Sequence, residues 1–322
     1  MKDRDKSLDS IKGVMIIFVV FGHIIYKGDF RYLFQNIHDL VYIFHMPIFL
    51  MLSGYFFKCN LTVDWLKNIT VKLVIPYLLS FSFYLFILYI VEFWGGIDTS
   101  NHVSGLHDAI KSILVSPFAS YWYLHSLIIF SLLFYISSFL CFKLNINYFI
   151  LPSTIVLYSI LHFSIFQFNV KYFYWVAGYI WLGYVFHSLL QSYNNSCVNK
   201  VDFITFVIIT LVVSLNLISD FDLKRTLISI LVFSLLYLFF NVFKLNWLSF
   251  IGRNSLLIFL FHVYFLNLSK LMSNVFISFD GSGTVFLLFS LIFSIVGSLF
   301  LGRLIERLNM SRFILGTSNA IN

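Results

Sequence analysis

The chain has 322 residues, of which 60% are hydrophobic and only 11% are charged, and its mean hydropathy is +0.91. An ordinary soluble domain carries roughly 25% charged residues, so this composition excludes a water-soluble fold of this length. Membrane proteins carry an excess of Lys and Arg on their cytoplasmic side, and this excess accounts for the net charge of +7. No nucleic-acid partner is needed to explain the charge.

Hydrophobic stretches long enough to cross a bilayer as helices follow one another along the chain. A membrane core requires about 20 mostly apolar residues per helix. A transmembrane barrel would need alternating segments of about ten residues, whereas runs such as 201–217 are continuously apolar. We predict an all-α polytopic bundle of about ten helices. The predicted spans are 12–28, 40–57, 74–93, 121–141, 148–166, 172–190, 201–218, 226–243, 254–271 and 284–302.

The orientation follows from the positive-inside rule. With the N-terminus inside, two thirds of the 21 Lys and Arg residues fall on the cytoplasmic side. Both termini are therefore predicted to be cytoplasmic, and residues 303–322 form a cytoplasmic tail of a single membrane domain covering 1–322. Cys59, Cys141 and Cys197 all fall at predicted cytoplasmic helix ends, where thiols stay reduced, so no disulfide framework is expected.

The first predicted helix carries ionisable groups, which are costly inside a membrane and therefore indicate function. Lys12 and His23 are eleven residues apart, which places them on one helix face with a rise of roughly 16 Å between them. Asp9 lies one turn before Lys12 on that face, where an ion pair would lower the cost of the charge. The alternative stays open that Lys12 only reaches the interface and that His23 only hydrogen-bonds a neighbouring helix.

The second predicted helix brings His45 to about the same depth as His23, because the two helices run antiparallel. Pro47 is predicted in the first turn of this helix, where its missing N–H costs little. Ser53 and Gly54 permit close approach of another backbone, and a packing interface explains them better than a functional role does. An interfacial His45 with its imidazole in water is the alternative there.

These residues resemble the acyltransferase-3 family of bacterial inner-membrane O-acyltransferases. The resemblance begins with Asp9-x-x-Lys12-Gly13 and His23 and continues with Phe44-His45-Met46-Pro47-x-Phe49-x-x-x-Ser53-Gly54-Tyr55. Three further segments follow in the same order as in the family. They are Lys72-Leu-Val-Ile-Pro76-Tyr77, Tyr121-Trp122-Tyr123-Leu124, and Ile251-Gly252-Arg253-Asn254-Ser255-Leu256 leading to His262.

The resemblance implies transfer of an acyl group, usually acetyl from acetyl-CoA, to a hydroxyl of a cell-envelope sugar. Lys12 stands where many members have Arg, and this position resembles the branch described as fucose 4-O-acetylase-like. Family members also carry an Arg-rich cytoplasmic segment before the third helix, where this chain offers only Lys67 and Lys72. The partners that the resemblance implies are the lipid bilayer and an envelope sugar or polysaccharide acceptor.

The chemistry assigns a role to each candidate residue. A sugar hydroxyl needs a base to attack a thioester at neutral pH, and a neutral buried histidine can accept the proton, so His23 is the predicted general base, with His45 beside it. The predicted acyl-CoA phosphate partners are Lys12, Lys67, Lys72 and Arg253. The predicted acceptor-side residues are Trp122, His262 and Ser53, although Trp122 also suits an interfacial anchor and His262 a satisfied buried histidine. No metal is predicted, since the chain lacks an H-E-x-x-H segment and paired His/Cys spacing.

A transporter or flippase for a lipid-linked sugar is the rival hypothesis, because intramembrane His and Lys suit that function too. It predicts internal repeats and broken helices in matching halves, and the sequence shows neither. A purely structural subunit does not explain why polar residues cluster on the first two helices.

Overall fold

The computed structural model describes residues 5–56, 62–95, 105–145, 150–161, 176–184, 187, 223–317 and 319–321. Every regular element in these ranges is a helix, as predicted. In chain order the first are α1 (Lys6–Gly22), α2 (Arg31–Tyr55), α3 (Val63–Ile69), a π-helix (Thr70–Val74), α4 (Ile75–Gly95), α5 (Leu106–Leu114), α6 (Tyr121–Lys143) and α7 (Ile150–Leu161), followed by helical residues 176–184. The last are α8 (Leu223–Val242), α9 (Asn246–Arg253), α10 (Ser255–Leu271), α11 (Ser273–Phe279), α12 (Thr284–Arg307) and α13 (Ser311–Ile314).

Five stretches of the described chain are long and apolar enough to cross a membrane: Arg31–Tyr55, Val63–Ile90, Tyr121–Lys143, Lys224–Val242 and Thr284–Arg307. A sixth forms if α9 and α10, which meet at an angle of 79°, together make one broken span. The chain is thus a multi-pass membrane protein. The predicted span 201–218 lies outside the described residues, and the count of ten and the cytoplasmic termini stay predictions.

Two helix boundaries differ from the predictions. Helix α1 begins at Lys6, because the Asp5 carboxylate caps it by accepting from the backbone N–H of Ser7 at 2.9 Å, and it ends at Gly22 rather than at residue 28. Helix α2 begins at Arg31, so Pro47 lies inside the helix and not in its first turn, and that prediction was wrong. Polar residues at the start of α2 extend the helix beyond the apolar stretch from which the prediction was made.

The described residues fall into two compact units, Met1–Leu52 with Lys224–Asn322, and Ser53–Leu223. We call them the first and second units. The boundary lies within α2, and the prediction of a single domain stays a prediction.

In the first unit, α1 crosses α9 with the two backbones in contact. A Cβ atom on Gly252 would overlap the carbonyl oxygen of Asp9, and one on Gly13 would overlap that of Leu248. Helix α10 packs on α12 along small residues spaced four apart, which are the buried Ser290, Ser294 and Ser298 followed by Gly302. Small residues allow helices to approach closely in a membrane, where apolar side chains gain nothing by leaving lipid.

A pair of glycines joins the α1–α2 loop to the loop before α12. Gly28 (φ 85°) and Gly283 (φ 81°) both have left-handed backbone, and a Cβ on Gly28 would lie 2.6 Å from the carbonyl oxygen of Gly281. The N–H groups of Asp29 and Phe30 donate to the carbonyls of Gly281 and Ser282 at 3.0 and 3.2 Å. The two loops therefore hold each other, and together they fix the start of α2.

The second unit is built around α6. The rings of Phe81 and Tyr121 stack at 4.6 Å, and the hydroxyl of Tyr77 donates to the carbonyl of Ile113 at 2.7 Å. Gly54 lies against the backbone of helical residues 176–184, since a Cβ there would overlap the carbonyl oxygen of Ile180. Gly54 is therefore a packing position, as one of the two sequence interpretations proposed.

Candidate active site

Two histidines meet inside the first unit. His23 is the C-terminal cap of α1, so it follows the helix instead of lying within it, and His262 lies near the middle of α10. Their ring centroids are 5.3 Å apart and the rings are inclined by 42°. His262 is completely buried. Residues 239 positions apart in sequence thus form one imidazole pair, in which His262 is buried and His23 is half-buried.

The backbone fixes the orientation of His262. Its Nδ1 lies 3.0 Å from the carbonyl oxygen of Ile258 and 2.8 Å from that of Phe259. Because both partners only accept, the hydrogen-bond network assigns the proton to Nδ1 and leaves Nε2 as an acceptor. That Nε2 atom is buried and has no hydrogen-bond partner in the described part of the chain. A buried acceptor without a partner is costly, and such groups are typical of places where a proton moves.

His45 is arranged in the same way one helix away. Its ring is buried, and its Nδ1 donates to the carbonyl oxygen of Val41 at 2.9 Å, which again leaves Nε2 as the acceptor. His23 and Arg225, which lies at the start of α8, are within electrostatic range of His45. The structure therefore brings together the three predicted site histidines, His23, His45 and His262.

The start of α2 adds residues that the sequence analysis missed. The Tyr42 ring lies between His38, at 3.9 Å, and His45, at 4.6 Å, and its hydroxyl donates to the carbonyl of Gly22 at 3.3 Å. The Nδ1 of His38 lies 2.8 Å from the carboxylate of Asp39. A signal was present in the sequence, since His38, Tyr42 and His45 follow the i, i+4, i+7 spacing of a single helix face. Arg225 had no such signal, because only the fold brings it near His45.

The crossing of α1 and α9 brings two predicted donor-binding residues to one end of the first unit. Gly13 follows Lys12 and Gly252 precedes Arg253, and both glycines lie in the contact. The Arg253 guanidinium lies 6.0 Å from the Phe250 ring, and the residue is exposed.

The other predicted site residues lie in the second unit. Lys67, on α3, and Lys72, in the π-helix, are both exposed. Single π-helical turns occur often at functional sites, and nothing in the sequence had indicated this one. The hydroxyls of Ser53 and Tyr123 lie 3.0 Å apart, and Trp122 precedes Tyr123 at the start of α6. The Nε2 of His125 lies 3.0 Å from the carbonyl oxygen of Leu114, to which it donates.

Comparison with known proteins identifies the family. A family model described as "Acyltransferase domain", that of acyltransferase-3, matches residues 5–303. The chain belongs to the acyltransferase-3 family. The resemblance seen in the sequence motifs is thereby confirmed.

Two curated relatives of this acyltransferase match over a short segment. Nodulation protein NolL of Sinorhizobium fredii is 39% identical over 57 residues, which are 16% of this chain and 16% of NolL. Nodulation protein NolL of Mesorhizobium japonicum is 39% identical over 57 residues, which are 16% of this chain and 15% of that protein. The matched segment is thus a small part of each relative. No solved structure matches the chain.

The histidine group has the chemistry for proton transfer. An imidazole nitrogen with a free lone pair accepts the proton as the new bond forms, and the same imidazolium returns it to the leaving group. His45 and His262 both have their Nδ1–H held by backbone, so each can offer only Nε2. Within the described ranges, no group of three His, Cys, Asp or Glu side chains is placed to hold a metal ion.

Proposed function

We propose that this acyltransferase moves an acetyl group from acetyl-CoA to a hydroxyl of a cell-envelope sugar or polysaccharide precursor, in the inner membrane of a bacterium. The observation that supports it most directly is the contact between the imidazoles of His23 and the buried His262, in a chain whose acyltransferase match covers residues 5–303. A base in the predicted span 12–28 suits a reaction whose two substrates come from opposite sides.

The proposed step needs no co-reactant. His23 takes the proton from the acceptor hydroxyl as its oxygen attacks the thioester carbonyl carbon. The C–S bond then breaks, and the thiolate of coenzyme A takes the proton from the His23 imidazolium. The products are the O-acetyl sugar and coenzyme A with a free thiol, so charge and protons balance within the site.

The acetyl-CoA phosphates are proposed to bind at the basic end of the first unit. Lys12 and Arg253 bring two cations to the α1–α9 crossing, and a phosphate forms charge-assisted hydrogen bonds with such groups. The pantetheine arm would follow the α1 face from Lys12 toward His23, over a rise of roughly 16 Å. Lys67 and Lys72 are proposed as further phosphate partners, on the second unit.

The acceptor is proposed to reach the histidine group from the other membrane side. His45 lies one helix away from the His23–His262 pair and would assist the hydroxyl. Trp122 is proposed to stack on the sugar ring, and Ser53 to hydrogen-bond it together with Tyr123. The proposed partners are the bilayer and this envelope acceptor, with no role for nucleic acid.

A transporter or flippase has less support. Helices α9 and α10 form one bent pair in the described chain. Transporters built from inverted repeats place such breaks at corresponding positions of two halves. Among the described residues, no second bent pair accompanies this one.

Thioester turnover tests the proposal. Purified protein in detergent is given acetyl-CoA labelled in the acetyl group, with and without a mixture of envelope saccharides. We expect acceptor-dependent release of free coenzyme A and label in the saccharide fraction, and neither product with His23→Gln. Accumulation of saccharide across sealed vesicles without acetyl transfer would support the transporter instead.

A further inference from the structure

A cavity of about 450 Å³ lies in the first unit between the end of α1 and the start of α2. Its volume falls in the roughly 300–1,000 Å³ range of small-molecule sites. The side chains that line it include Tyr26, Arg31, Tyr32, Gln35 and His38. None of these residues has a role in the donor site or in the proton transfer described above.

Arg31 gives the cavity a cation. Its Nη2 donates to the Tyr32 hydroxyl at 2.9 Å, and its guanidinium carbon lies 4.7 Å from the Tyr32 ring centroid. Among the described residues it forms no salt bridge. A guanidinium has five N–H donors in a planar fork, and the donors that Tyr32 does not use match the two oxygens of a carboxylate or phosphate.

The next turn of α2 supplies acceptors for hydroxyl groups. Asp39 accepts from Gln35 Nε2 at 2.9 Å and from His38 Nδ1 at 2.8 Å. With those hydrogens directed at Asp39, the Oε1 of Gln35 and the Nε2 of His38 are left to accept hydrogen bonds. Tyr26 and Tyr32 add aromatic faces, on which the C–H face of a sugar ring can pack.

The cavity is next to the proposed base. Gly22 and Ile24, the neighbours of His23 in the chain, both line it. The imidazoles of His23 and His38 lie within electrostatic range of each other. A ligand held in the cavity is therefore close to the residue proposed to take its proton.

We propose that this cavity is an acceptor subsite, in addition to the contacts proposed for Trp122 and Ser53, and that it binds an anionic saccharide, a sugar unit whose carboxylate or phosphate pairs with Arg31. The inference rests on the proposed function and adds the chemical class of the acceptor. A sugar carboxylate and a sugar phosphate would both pair with the Arg31 guanidinium through two oxygens. The probes used in the binding experiment distinguish between these two anions.

Saturation-transfer NMR on the full-length protein in neutral detergent measures binding without acetyl-CoA. The probes are methyl glucuronide, glucose 1-phosphate and the uncharged methyl glucoside. We expect the wild-type protein to bind at least one charged probe about tenfold or more tightly than methyl glucoside, since hydrogen bonds to charged groups are the stronger class. Tighter binding of the glucuronide would identify the acceptor as a sugar that carries a carboxylate. Tighter binding of glucose 1-phosphate would identify it as a phosphorylated sugar.

Variants separate the cavity from the rest of the surface. Arg31→Ala is expected to remove the preference for charge, Arg31→Lys to keep part of it, and Gln35→Ala to weaken all three probes. Arg307→Ala removes an equal charge at an exposed position of α12 and serves as the matched control. Equal binding of the three probes by the wild-type protein, or a preference that persists in a folded Arg31→Ala variant, overturns the proposal. Because this assay involves no acetyl transfer, its result is independent of whether thioester turnover is found.

Discussion

At the scale of single residues, the structure shows surroundings of the proposed base, His23, that the sequence did not predict. His23 follows α1 as its cap, with its ring against a completely buried His262. The sequence predicted His23 inside the first helix on the face of Lys12, whereas the structure has it after the last helical residue, and the shared face stays a prediction. The Nδ1–H bonds of His45 and His262 to backbone could not be predicted, because they depend on side-chain rotamers within a packed unit.

The first prediction concerns His23 as general base. His23→Ala should lower acetylation by about 10² to 10⁴, the usual contribution of such a group. His23→Gln is the sharper variant, because Gln keeps hydrogen bonding and approximate size but has no basic nitrogen. His107→Gln, at a highly exposed position on α5, is the matched control and should keep full rate. A His23→Gln variant present at normal level that still acetylates faster than about a tenth of the parental rate would pass the role to His45 or His262.

The second prediction concerns donor binding by Lys12 and Lys72. Each Lys→Ala change should raise KM for acetyl-CoA more than KM for the sugar, with kcat nearly unchanged. Removing an interaction made equally in the ground and transition states has this kinetic effect. Steady-state kinetics with each substrate varied in turn provide the measurement. Unaltered donor kinetics in both variants would mean that coenzyme A binds elsewhere.

At the scale of helices, two family motifs contact each other. The segment around Gly13 and the segment around Gly252 are distant in sequence, and they meet where α1 crosses α9. The sequence showed both motifs but gave no reason why each contains a glycine. That reason is the contact itself, since a Cβ atom on either residue would overlap backbone of the other helix.

The third prediction tests that crossing. Gly252→Ala should destabilise the protein by about 1–3 kcal/mol, the usual cost of overpacking, because the overlapped atoms are backbone and cannot move aside. The apparent melting temperature in detergent should fall. Gly105→Ala is the control, since a Cβ there meets nothing within 4 Å, and it should leave the melting temperature unchanged. Equal melting temperatures for the two variants would show that α1 and α9 are not in backbone contact.

The fourth prediction concerns the loop before α12. The Asp280 carboxylate accepts from the N–H of Val285 at 2.9 Å and from the hydroxyl of Ser282 at 2.9 Å, and these bonds lower the pKa of Asp280. A carboxyl with a lowered folded-state pKa adds stability above its unfolded pKa of about 3.9. That contribution is lost as pH falls through the folded-state value.

Asp280→Asn should therefore lower the melting temperature at pH 7 and flatten its decline between about pH 5 and pH 3, relative to the parental protein. Asp29→Asn removes an exposed carboxylate from the partner loop and is the matched control for the loss of one charge. An Asp280→Asn variant with a parental pH curve would contradict the role assigned to this loop.

At the scale of the whole molecule, composition was sufficient to predict a membrane protein, and the sequence motifs were sufficient to predict the family. Apolar stretches correctly predicted helices, because in lipid every backbone N–H and C=O group must be hydrogen-bonded within its own segment. Helix ends were less predictable: α1 ends early and α2 begins early because capping and polar side chains, rather than hydropathy, determine those positions. The cavity beside His23 was not predictable, because it depends on two loops that glycines hold together.

The last prediction is the orientation in the membrane, which the distribution of Lys and Arg supports. With both termini inside, Cys59 and Cys197 lie at the cytoplasmic surface, whereas Gly105 lies in an outside segment. In intact spheroplasts, a membrane-impermeant maleimide should leave Cys59 and Cys197 unmodified and should label a Gly105→Cys variant. Opening the inner face should then expose both native thiols to the reagent. Cys141 is buried and adds no background. Labelling of Cys59 or Cys197 in intact spheroplasts would show that the predicted orientation is wrong. Lys12 would then lie outside the cytoplasm, where its proposed donor, acetyl-CoA, is absent.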